Sequence, residues 1–101
     1  MVRYEMLINV MPSTRKTKKY VALFSDGSKT HFGARGYGDF TIYSKRDTRL
    51  AKQKRASYIA RHGATESWTN PKAASTLSRY ILWEYPTLNG AVARYKRRFP
   101  R

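Results

Sequence analysis

The sequence has no cysteine, which excludes a disulfide framework, a thiolate metal site and a thiol nucleophile. Acid is scarce as well. Six Asp and Glu stand against 21 Lys and Arg in 101 residues, so the formal net charge is +15 with both histidines neutral. So few acids leave little from which to build a catalytic site. His31, Asp39, His62 and Glu66 have the donor chemistry for zinc or manganese, yet their spacing fits no ligand motif. His31 falls mid-strand, and His62 falls beside Gly63 at the C-terminal end of a helix, where the helix dipole favours it; both have structural explanations. The GARGYG stretch lacks the Gly-Lys-Ser/Thr ending of a phosphate-binding loop and the dinucleotide spacing. Ser25, Ser57 and Ser75 lie in no nucleophile elbow. The reading is a non-enzymatic protein without a cofactor. Long apolar runs are missing too: Met6–Ile8 and Tyr80–Trp83 fall far short of the roughly 20 residues that cross a bilayer. The N-terminus, with Glu5 and Asn9 interrupting its apolar residues and no small-residue cleavage site, makes a poor signal peptide, so retention in cytosol or nucleus is expected.

What is present is enough to fold. Apolar residues make up 41% and aromatics 14%, too much for a basic tail that stays disordered. The length fits one small domain with a modest core. Residues 3–11 suit a short strand or extended arm that Pro12 ends, and Ser13–Lys19 reads as a solvated, mobile basic connector. Residues 1–17 thus form an arm and the start of the connector, ahead of a domain over 18–101. Tyr20–Phe24 and Lys29–Phe32 flank Asp26-Gly27, a strong turn dipeptide, and predict a hairpin in which Phe24 and Phe32 face each other. Residues 3–11 are expected to add a third strand, since a lone hairpin is marginal in water. Regular structure pauses over the glycines of GARGYGDF. A helix follows at about 46–62, capped by Asp47 or Ser44 and stopped by Gly63. Asn70-Pro71 starts a second helix running to about Glu84, and Pro86 ends it. Leu88, Val92, Tyr95 and Phe99 form one face of a third. The fold class is α+β: a small N-terminal antiparallel hairpin or three-stranded sheet followed by about three helices.

The cations gather in three places: Arg15, Lys16, Lys18 and Lys19 in the connector; Lys45, Arg46, Arg49, Lys52, Lys54, Arg55 and Arg61 around the middle helix; Arg94, Lys96, Arg97, Arg98 and Arg101 beside the apolar stripe of the last. Lys45, Arg49 and Lys52 share a stripe, whereas Lys54, Arg55 and Arg61 point elsewhere around the wheel. Base-edge reading needs a few side chains aimed from one face, so this scatter favours backbone contact or acidic surfaces over sequence-specific recognition. A field this positive destabilises a compact body unless something negative binds. The candidate partner-binding residues are Arg15, Lys16, Lys18, Lys19, Arg46, Arg49, Lys52, Arg55, Arg94, Arg97 and Arg98, and reversing Arg49, Lys52 and Arg55 to Glu is expected to abolish partner binding while leaving the fold. Most aromatics fall on apolar faces; Tyr37, Tyr43 and Tyr85 look free by pattern.

Three stretches carry a family likeness: HFG followed by GYGDFT, RH followed by ESW, and LSRYILWEYPTL with a terminal RYKRRF. Over about residues 18–99 the chain resembles a family of short basic proteins encoded by chlorella viruses and other large nucleocytoplasmic DNA viruses. The N-terminal arm lies outside the likeness. The resemblance implies a viral context, in the virion and in host cytoplasm or nucleus during infection, and transfers no catalytic residue. In that setting the expectation is a minor capsid or virion component bridging other capsid proteins or acidic protein surfaces through its cationic patches. The alternative is sequence-independent binding of DNA or RNA to package or condense a genome.

Overall fold

The computed structural model describes residues 6–100. Three strands rich in β-branched and aromatic residues open it: β1 (Leu7–Pro12), β2 (Lys18–Phe24) and β3 (Lys29–Ala34). They pair antiparallel in the order β1-β2-β3. Helices follow: α1 (Phe40–Ser44), α2 (Thr48–His62), α3 (Ala74–Leu77), which runs straight into a π-helical turn at Ser78–Leu82, and α4 (Leu88–Arg98). The architecture is α+β, with the sheet N-terminal to the helices. Residues 3–5 of the expected first strand, and Arg101, lie outside the described residues.

Local chemistry sets the sheet. In the β2–β3 turn, Gly27 takes φ 87°, donates its N–H to the Phe24 carbonyl at 2.9 Å, and leaves Phe24 N–H to donate to the Ser28 carbonyl at 3.0 Å. This is a three-residue loop whose last position needs the left-handed conformation glycine supplies. Leu7 opposes Phe24, but Asn9 opposes Leu23, so Ile8 is an extra residue. Without that bulge Leu7 and Val10 would point to opposite faces; with it both join Ala22, Tyr20 and Phe24 on the helix-covered side. Phe32 pairs with Tyr20, and Phe24 with Leu7; the two phenylalanines share the core without opposing each other, which corrects the expected pairing.

Against that face pack Leu77, Ile81 and Leu82 from α3 and its π turn, and Ala91 and Tyr95 from α4. A turn closed by i→i+5 bonds brings residues five apart over one another, which lets Leu77 and Leu82 both reach the core. Leu88, Val92 and Phe99 complete the α4 stripe around Tyr95, whose hydroxyl donates to the Pro71 carbonyl. By contrast α2 carries no apolar stripe. It buries only Ala51 and Tyr58, and docks through aromatic stacking, Tyr58 lying 4.7 Å from Trp83 and 6.5 Å from Trp68, centroid to centroid.

Several boundaries differ from the sequence reading, each for a local reason. The connector shortens to 13–17, because Lys18 and Lys19 enter β2 and Ser13 is buried, bonded to His31 Nδ1 at 2.7 Å. The glycine stretch is more ordered than expected: Gly33 and Ala34 finish β3, and Asp39 caps a short helix that no apolar periodicity announces. Asp47 caps α2, so Lys45 and Arg46 precede it. The second helix begins at Ala74 rather than at Pro71, since residues 71–73 form a turn held by the Asn70 side chain.

Candidate functional site

The acids explain why the surface is so positive. Asp26 pairs with Lys72 at 2.7 Å and accepts from Ser28; Asp39, almost wholly buried, pairs with Lys19 at 2.7 Å and caps α1. Asp47 caps α2, Glu66 receives Trp68 Nε1–H at 2.8 Å and meets His62 Nδ1 at 2.7 Å, and Glu84 pairs with Arg79 at 2.8 Å. Every acid among the described residues is thus engaged inside the fold. Lys72 and a shell of hydrogen bonds hold the Asp26 carboxyl well below the usual carboxylate range.

The expected cations divide accordingly. Arg15 and Lys16 sit exposed in the β1–β2 turn. Arg46, Arg49 and Lys52 are exposed at the α1–α2 junction and along the outer face of α2. Arg94, Arg97 and Arg98 flank a shallow groove with Tyr80 and Glu84, where Arg94 lies 4.2 Å over the Tyr85 ring and Arg98 4.1 Å over Tyr80. Two candidates are committed elsewhere. Lys19 is the partner of buried Asp39, and Arg55 donates to the Glu84 carbonyl at 3.0 Å while lying 4.3 Å over the Phe40 ring. Both make contacts within the fold, which corrects the expectation that Arg55 is a surface cation like Arg49 and Lys52.

Lys18, the remaining candidate, opens a feature that sequence reasoning missed. Between the end of β3 with the loop after it and α2 lies a cleft of about 470 Å³, lined by Tyr37, Tyr43, Tyr58 and Trp83 and rimmed by Lys18, Lys54 and Arg61. Lys54 and Arg61 lie across α2 from Arg49 and Lys52, at about 100° per residue. Tyr37 is 73% exposed between two glycines. Tyr43 and Tyr85 are less free than their pattern implied, for Tyr43 leans on Trp83 at 6.3 Å with Lys54 Nζ 5.7 Å over its ring, and Tyr85 lies under Arg94. Burial, then the nearby Glu66 carboxylate, pushes the Tyr58 hydroxyl up to about 12. The hints in the sequence were Tyr37 and Tyr43, which no apolar face claimed, and the i,i+7 repeat of Lys54 and Arg61 on one side of α2.

Asp39, His62 and Glu66 also border the cleft, but His31 is across the sheet on Ser13. Partial burial and the charges of Arg15 and Lys29 hold the His31 imidazole below its usual range. Among the described residues no three His, Asp or Glu side chains gather around one point that could hold a metal ion. Nor is any helix among them long and apolar enough to cross a membrane.

A model of a family of unknown function, DUF5754, matches residues 8–62, more than half of the chain. The chain belongs to that family. The DUF5754 match runs from β1 to the end of α2, so it takes in the sheet, the glycine loop and most of the cleft, including Lys18, Tyr37, Tyr43, Lys54, Tyr58 and Arg61. It begins inside the arm that the viral likeness left out, and it stops before Trp83 and α4. No curated protein and no solved structure matches the chain.

Proposed function

We propose that this DUF5754 protein is a non-catalytic binder of nucleic-acid backbones, acting without sequence preference. One observation carries the reading: the described acids are all consumed by internal contacts, while Arg15, Lys16, Arg46, Arg49, Lys52, Lys54, Arg61 and Arg97 face solvent with no acid paired to them. Positive charge left over in this way attracts a phosphate chain and releases its counterions. Cations on several faces suit backbone contact better than insertion of one reading element into a groove. The same spread also supports a second reading, in which the protein bridges acidic protein surfaces as a minor component of a virion, the setting the viral likeness implies.

Binding of the full chain to a short oligothymidylate, titrated between about 50 and 200 mM salt, tests the first reading. Neutralising about six phosphates of a single strand gives a log–log slope near −4, and Arg46→Glu, Arg49→Glu and Lys52→Glu together make it shallower by about 2. Circular dichroism should show the triple variant folded, because all three side chains are exposed. A polyglutamate of matched charge that binds as tightly as the oligonucleotide would transfer the conclusion to acidic protein surfaces.

A further inference from the structure

The cleft beside α2 differs from the other cationic surfaces in having aromatic walls. Resting on the nucleic-acid reading, we propose that it is a base-stacking pocket for an unpaired nucleotide of a single strand, with the base against the exposed ring of Tyr37 and the flanking phosphates on Lys18, Lys54 and Arg61.

Four features converge on this occupant. The volume, about 470 Å³, lies in the range of sites that enclose small planar ligands. Tyr37 presents its ring to solvent where the rings of Tyr58 and Trp83 are occupied by each other. A ring with a free face, next to a cationic rim, is what single-strand binders use, because every base has a π-face and every nucleotide a phosphate. The rim is of one sign in effect, since the two carboxylates that border the cleft are held by Lys19 and by His62 and Trp68. Finally, Tyr37 stands between Gly36, at φ 93° with open space around it, and Gly38, whose α-carbon lies against the Tyr43 ring. A side chain at Gly38 would collide with that ring, so the loop can approach Tyr43 closely only because glycine is there. A duplex, whose bases are already stacked, offers this pocket only its phosphates.

The test compares a short oligothymidylate with an abasic strand of the same number of phosphates, using the full chain and fluorescence anisotropy. Wild type should bind the base-bearing strand about 5- to 150-fold more tightly, the range that loss of one stacked base spans. Tyr37→Ala should remove most of that difference while leaving affinity for the abasic strand unchanged; its side chain is exposed, and circular dichroism checks the fold. Arg61→Gln should weaken both strands alike and make the salt slope shallower by about 0.7. Equal wild-type affinity for the two strands overturns the pocket and leaves backbone binding intact, as does a Tyr37→Ala loss shared by both. Failure to bind either strand overturns the nucleic-acid reading itself.

Discussion

Lys16 and Lys19 stand three positions apart in one basic run, and nothing in the run separates them. Their surroundings do. Lys16 is exposed at a turn, whereas Lys19 points from β2 to the buried carboxylate of Asp39, which also accepts from the N–H groups of Thr41 and Ile42. The pair ties the second strand to the start of α1. Removing one member of a buried ion pair leaves the other charged and desolvated, at a cost of about 3 kcal/mol. Lys19→Gln should therefore lower the chemical-denaturation midpoint by an amount equivalent to roughly 2–4 kcal/mol, while Lys16→Gln stays within about 0.5 kcal/mol. Equal, small effects from both would mean that Lys19 is as solvated as its neighbour. Residue-level roles of this kind were not legible beforehand, because Asp39 is 20 positions away and only β-pairing brings the two together.

At the scale of elements, pattern was readable where a single face meets the core. The turn at Asp26-Gly27 and the α4 stripe from Leu88 to Phe99 follow from short-range rules of turn chemistry and helical period, and both are where those rules put them. α1 was invisible since one turn of helix has no period to detect, and its stability comes from the Asp39 cap. The π turn was invisible for a different reason: nothing in a sequence distinguishes i→i+4 from i→i+5 closure until Leu77 and Leu82 have a common core to fill. That core sets a requirement on β3. Gly33 has φ 81°, and a Cβ there would lie 2.8 Å from Leu82 Cδ1; Gly27 has φ 87° with nothing within 4 Å. Alanine at either position takes the left-handed penalty of about 1–2 kcal/mol, but only at Gly33 must the buried Leu82 side chain also yield. Gly33→Ala should thus destabilise by about 2–4 kcal/mol and Gly27→Ala by about 1–2, the difference reporting how closely strand and helix approach. Thermal denaturation resolves the two, at several degrees per kcal/mol for a domain of this size; identical losses would show that Leu82 moves aside freely.

The whole molecule poses an electrostatic problem that composition states and the fold intensifies. A net charge of +15 is carried by a body with a radius of gyration of 13.4 Å, and the acids among the described residues, which might dilute the surface charge, are used to cap helices and tie segments together. The charge was legible from the first count; its placement was not, because each internal pair depends on tertiary contact, as between Asp26 and Lys72. The aromatic cleft shares that origin, drawing its walls and rim from β2, the glycine loop, α1, α2 and the π turn's end. Self-repulsion across so small a body opposes folding, and two agents relieve it differently. Sodium chloride screens uniformly and at a distance, with a Debye length of about 10 Å at 0.1 M. A multivalent anion that engages several cations at once binds the folded state, where those cations are held together, more tightly than the unfolded chain, where they are dispersed. Inorganic tripolyphosphate at about one hundred times its dissociation constant should contribute about 2.7 kcal/mol, which for this size raises the melting temperature by on the order of 10 °C. Sodium chloride at equal ionic strength should raise it by much less. If the two salts act alike, the cations behave as a diffuse cloud rather than as preassembled sites, and binding of a phosphate chain would have to organise them on contact.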